Sequence, residues 1–166
     1  MNGMTWVRIV AGAVWLNGGI EKLLNPEFPT QFADSLAAGG FVSQAPPFFR
    51  DFMEGTVVPN AELFAQVVRV SELALGIALI LGLLTNLAAV GSIVLSAMVL
   101  LSQGGVRLGT GLGAPEFITI NVLVALLSLL IILSPAAKAF SLDSRLVKRS
   151  PALSPILANR RSRRTG

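Results

Sequence analysis

Four charged residues, Glu21, Lys22, Arg69 and Glu72, interrupt stretches that are otherwise almost pure hydrocarbon. A charge near the middle of a bilayer costs about 2.5–3.5 kcal/mol on insertion scales, so such side chains face a protein interior and find partners there. Two acids and two bases at one depth can neutralise each other. A fold for this chain therefore has to bring the two interrupted stretches side by side.

The stretches are long enough to be membrane spans. The chain is 53% hydrophobic and only 13% charged, whereas a soluble domain carries about 25% charged residues. Apolar windows close to the ~20 residues that cross a bilayer fall at residues 5–24, 63–84, 87–101 and 117–133, the third reaching toward Ser102 and Gln103. These spans predict an all-α integral membrane four-helix bundle. Residues 1–135 form one domain with an outer loop at 25–62, and residues 136–166 form a basic cytoplasmic tail. Thr85-Asn86 reads as a two-residue connection, which makes an antiparallel hairpin of the second and third helices.

Cysteine, histidine and tyrosine are all absent. Thiol redox chemistry, cysteine or histidine metal sites, haem ligation and histidine acid–base chemistry are excluded within the chain. No metal and no covalently bound cofactor is expected. If the protein takes part in redox chemistry, a diffusible cofactor or a partner subunit has to carry the electrons.

Eight of the 13 basic residues lie from Lys138 onward, opposed there by Asp143 alone. After a membrane helix such a run marks the cytoplasmic side and can hold anionic lipid head groups; nucleic acid is not the expected partner. Four crossings then put both termini in the cytoplasm of a multi-pass cell-membrane protein, with the acidic 25–62 loop outside. A short interfacial helix is expected over residues 140–147 of a tail broken by Pro151 and Pro155.

Six of the nine phenylalanines fall in the outer loop. Phe28, Phe32 and Leu36 recur at four-residue spacing, and Phe48, Phe49, Phe52 and Met53 form a second apolar face, so two short interfacial helices are expected there. Small residues mark helix contacts: Ala88, Ser92 and Ser96 on the third helix, Ala74 and Ala78 on the second, and Gly12, Gly18 and Gly19 on the first. The glycines between Gly109 and Gly113 read as a turn, since no strand precedes them and no lysine stands where a phosphate-binding loop needs one.

Helix rise sets the depth of each charge. Glu21 lies 13 residues beyond Arg8, roughly 20 Å at about 1.5 Å per residue. Arg8 is thus expected to snorkel to water at the inner face, while Glu21 and Lys22 lie in the outer leaflet. The second helix enters from outside, so Arg69 and Glu72 share that level. Asn17 shares a face with Glu21, Arg107 and Glu116 flank the same side, and Asn121 lies a turn deeper. The candidate polar cluster or ligand-binding site is Glu21, Lys22, Arg69, Glu72, Arg107 and Asn121; no residue is assigned a catalytic role.

The same residues carry a resemblance. The run Gly18-Gly19-Ile20-Glu21-Lys22-Leu23, ending at Asn25-Pro26, is similar to the first-helix signature of the DoxX-like family of small integral membrane proteins. So is Arg69-Val70-Ser71-Glu72-Leu73-Ala74-Leu75-Gly76, followed by Leu79, Gly82-Leu83, Thr85 and Ala88-Ala89. The chain departs from that pattern at Asn86, where a basic residue commonly stands, and in its long first outer loop and basic tail. The resemblance implies a four-helix bundle associated with redox or sulfur metabolism. Relatives include a subunit of an archaeal thiosulfate:quinone oxidoreductase and a mycobacterial member linked to superoxide dismutase and a sulfurtransferase.

Three readings of the cluster follow. As a scaffold, the charges form a buried network that fixes helix register, and the protein is an accessory subunit of a membrane redox or respiratory complex. As a site, they floor an outward pocket in which Lys22 and Arg69 hold a quinone carbonyl or a small anion such as thiosulfate, and Glu72 exchanges a proton. Quinone is then the candidate cofactor. As a relay, they serve a small transporter. Sequence alone favours the scaffold slightly, because no residue can carry electrons. A cavity beneath the phenylalanine-rich segments, lined by two or more of Lys22, Arg69, Glu72 and Arg107, would favour the site.

Overall fold

A computed structural model describes residues 2–37, 40–105 and 120–149, and every regular element among them is helical. Helix α1 (Gly3–Leu24) begins where the Asn2 side chain accepts the Thr5 backbone N–H at 2.9 Å and ends at Asn25, ahead of Pro26. Two short helices, α2 (Phe28–Leu36) and α3 (Phe41–Gln44), follow. Helix α4 (Pro47–Phe52) then leads through a π-helical turn (Met53–Val57) and a 3-10 turn (Val58–Asn60) into α5 (Ala61–Leu81). Pro59, which has no N–H for the α-helical ladder, lies within the 3-10 turn, directly after the π-helical one. Helical structure therefore runs unbroken from Pro47 to Leu81, well upstream of the start expected at residue 63.

Helices α6 (Thr85–Ser102), α7 (Ile120–Leu133) and α8 (Leu142–Arg149), with a 3-10 turn (Pro135–Lys138) before the last, complete the described chain. Two helical runs, Pro47–Leu81 and Thr85–Ser102, are long and apolar enough to cross a membrane; α7 is a shorter apolar helix. Arg107, Glu116, the 109–113 glycines and the chain from Ser150 onward lie outside the described residues.

Helix α1 packs chiefly on α5, and α6 on α7. The first contact is backbone against backbone. A methyl group on Gly76 would lie 2.6 Å from the Leu16 backbone nitrogen, and one on Gly19 2.8 Å from that of Leu73. Gly76 therefore marks the face of α5 that meets α1. The expected Ala74–Ala78 ridge does not supply this contact, and Ala74 is exposed. On α6 the small ridge does turn inward, with Ala88, Ser92 and Ser96 all buried. Trp15 Nε1 donates to Ser92 Oγ at 2.6 Å, and Ser92 and Ser128 share a hydroxyl hydrogen bond of 2.7 Å, so one polar chain joins α1, α6 and α7 inside the core. A satellite core of Leu36, Val42, Met53 and Val57 sits under Phe32, Phe49 and Phe64.

The α5–α6 connection is Gly82-Leu83-Leu84, not Thr85-Asn86. Gly82 takes a left-handed φ of 67°, and the Leu83 N–H returns to the Ala78 carbonyl at 2.9 Å, which stops α5 at Leu81. Helix α6 can start at Thr85 because Asp143 caps it from α8. The two carboxylate oxygens of Asp143 accept the Leu84 and Thr85 N–H groups at 2.8 and 2.7 Å, and its own N–H donates to the Gly82 carbonyl at 2.9 Å.

Arg8 belongs to this same knot. It was expected to reach water, yet it is 1% exposed and donates to the Phe140 carbonyl at 2.7 Å. The segment after α7 folds back over it. Lys138 is buried alongside; burial pushes its ammonium below the usual lysine range, and Asp143 acts in the opposite direction.

Candidate functional site

Helix α1 carries Lys22 one turn beyond Gly18, and α5 presents Glu72 to the same level. Lys22 Nζ meets Glu72 Oε2 at 2.8 Å. The carboxylate is the deep partner: the Glu72 side chain is 7% exposed and that of Lys22 27%. Gly18 makes the room, since a methyl group there would stand 3.0 Å from Glu72 Oε2. Lys22 Nζ also lies 3.4 Å from the Gly18 carbonyl and 5.8 Å from the centre of the Phe28 ring, a separation at which a cation is attracted to a ring face.

The pair stands at the wall of a cavity of about 910 Å³. Phe28 and Phe32 from α2 and Phe41 from α3 enclose one side; Val10, Val14 and Trp15 of α1 and Val68 of α5 form much of the apolar wall; Asn17, Gln31, Ser35 and Asn121 add polar groups. Pockets for small molecules commonly have this make-up, mostly apolar with a few placed polar groups in roughly 300–1,000 Å³. The ammonium of Lys22 has three N–H donors. Glu72 engages one and the Gly18 carbonyl lies near a second, which leaves a donor for a guest oxygen. A guest with an apolar ring and a carbonyl or oxyanion matches both surfaces.

Of the six candidate residues, Lys22, Glu72 and Asn121 line this cavity. Glu21, the residue before Lys22 on α1, is exposed, and Arg69 is half-buried. Neither belongs to the cavity wall, and among the described residues neither makes an ion pair. The expected network of four charges is thus a network of two. Arg107 lies outside the described residues. Trp15, Gln31, Ser35, Ser102 and Gln103 also line the cavity and were not singled out from sequence. Gln31 and Ser35 repeat at the same spacing as Phe28 and Phe32, which was the available signal.

These features define a helical membrane protein with an ion pair at the wall of a largely apolar cavity. The chain belongs to the DoxD family, described as the small subunit of TQO, whose model matches residues 4–158. It is similar to an uncharacterized membrane protein of Mycobacterium tuberculosis, 32% identical over 153 residues that cover 88% of this chain and 82% of the relative. No solved structure matches the chain.

Proposed function

We propose that this protein is a membrane subunit of a quinone oxidoreductase-type complex and that its cavity seats the quinone ring. The observation that carries the reading is the Lys22–Glu72 pair at the wall of a 910 Å³ cavity closed on one side by phenylalanines. Lys22 donates a hydrogen bond to a ring carbonyl. Two-electron reduction to the quinol consumes two protons, of which Glu72 relays one from water to a ring oxygen and water supplies the other. Electrons come from a partner subunit, because a chain with no cysteine or histidine offers no ligand set for haem or an iron–sulfur cluster. The family description as a TQO small subunit supports a redox partner of this kind.

In this reading α1, α5, α6 and α7 all cross the membrane, both termini are cytoplasmic and the α2–α4 segment lies at the outer surface. The charge asymmetry supports that orientation. A reporter fused after Gly166 is active only if it is a cytoplasmic reporter; activity of a periplasmic one overturns the topology.

Trp15 provides the binding test, as the chain has only one other tryptophan, Trp6, which is exposed. In a Trp6→Phe background, a short-chain quinone should quench Trp15 fluorescence saturably, and Ser35→Phe, which fills the cavity, should abolish saturation. Quenching that rises linearly and is indifferent to Ser35→Phe refutes the quinone seat. The scaffold reading keeps one specific support: Lys22 and Glu72 already satisfy each other's charge. In that case the quench stays linear, while removal of either partner still lowers stability.

A further inference from the structure

At the end of the molecule away from Lys22, the last turn of α5 and helix α8 frame a second cavity of about 460 Å³. One wall is apolar, with Ile80, Leu81 and Phe140; the other carries Ser144, Arg145 and Lys148. Leu81 and Phe140 are 48% and 58% exposed, and Val70 and Ile77 continue the same uncovered stripe up α5. From Val70 to Leu81 that stripe runs roughly 16 Å, at about 1.5 Å per residue.

The charge around this groove is one-sided. Arg145, Lys148 and Arg149 are exposed on α8, and Arg8 and Lys138 are buried beneath it. Asp143 is the sole acid on α8, and both of its oxygens are engaged by the Leu84 and Thr85 N–H groups. Lys138 Nζ and two of the Arg8 nitrogens have no hydrogen-bond partner among the described residues. A guest here meets a positive end and, directly next to it, an apolar track along the outside of a membrane helix.

We infer that this groove is a seat for one anionic phospholipid, with the phosphodiester held by Arg145 and Lys148 and an acyl chain lying along Leu81, Ile77 and Val70. Free phosphate would use the basic wall and leave the apolar one empty, so the groove as a whole fits the lipid. The seat is independent of the quinone cavity and does not rest on it.

The test is native mass spectrometry of the full chain released from mild detergent with added phosphatidylglycerol or phosphatidylcholine. One phosphatidylglycerol should be retained per chain and phosphatidylcholine lost. Arg145→Gln/Lys148→Gln should weaken retention roughly 25-fold, as about fivefold per basic residue at a membrane surface compounds over two. Both side chains are exposed, so the double variant keeps the fold. Neutralising Arg160, Arg161, Arg163 and Arg164 together should leave retention unchanged. Equal retention of the two lipids, a loss that follows the four tail arginines instead, or displacement of the lipid by millimolar inorganic phosphate would each overturn the proposal.

Discussion

Lys22 and Glu72, 50 residues apart in the chain, meet at 2.8 Å with the carboxylate almost wholly enclosed. Lys22→Met leaves that carboxylate buried without its cation, and breaking a buried pair from one side costs on the order of 3–5 kcal/mol. Glu72→Gln keeps shape and hydrogen bonding and should cost less. Arg69→Leu should cost least, since Arg69 has no ion pair among the described residues. Thermal unfolding in detergent ranks the three. An Arg69→Leu midpoint below that of Lys22→Met would contradict the assignment of the pair.

Asp143 is the cap of a helix that begins far from it in sequence. Asp143→Ala removes both acceptors from the Leu84 and Thr85 N–H groups and takes the compensating charge from Arg8 and Lys138. Loss of a cap alone costs about 0.5–2 kcal/mol, and the stranded cations add to it. Asp143→Asn retains one acceptor oxygen and should fall between alanine and wild type. Identical midpoints for the three proteins would show that the cap contributes nothing.

The glycines on the α1–α5 contact should be intolerant in proportion to what a side chain would strike. Gly76→Ala drives a methyl group into the Leu16 backbone, where something must shift, and overpacking of this kind costs about 1–3 kcal/mol. At Gly55 nothing lies within 4 Å, so Gly55→Ala should be neutral. Equal effects at the two positions would mean the helices do not approach as described.

Lys138 gives a pH dependence whose sign is fixed by its surroundings. Its folded-state pKa lies below the ordinary value of 10.5, chiefly through burial. Above the folded pKa the native state has released a proton that the unfolded chain still holds, so stability rises with pH until about 10.5 and is lower at neutral pH. Lys138→Met should flatten that rise and raise the midpoint at pH 7. If the variant is less stable at pH 7, attraction to Asp143 outweighs burial.

What sequence could foresee was local. Pro26 ends α1, the four-residue recurrence of Phe28, Phe32 and Leu36 forms α2, and Ala88, Ser92 and Ser96 face inward, because each depends on spacing within one segment. The rotational phase of one helix against another is not local. Arg69 and Glu72 lie three residues apart, and only the seating of Gly76 on Leu16 decides that Glu72 is the one turned toward Lys22. Arg8 shows the same limit: helix rise gives its depth, but that Phe140 folds over it is a contact across 132 residues. Thr85-Asn86 reads as the turn in sequence because the residue that starts α6 stands 58 positions later.

That distance has a consequence for how the chain is made. Synthesis proceeds from the N-terminus, and segments organise in the order they emerge. The α5–α6 turn leaves the ribosome complete in sequence but lacking Asp143, so its two N–H groups wait for water or a transient partner until α8 has arrived. The hairpin closes last at its own corner. A nascent chain arrested after Leu133 holds every residue of the Lys22–Glu72 cavity described here, yet its α6 has no start fixed by the protein.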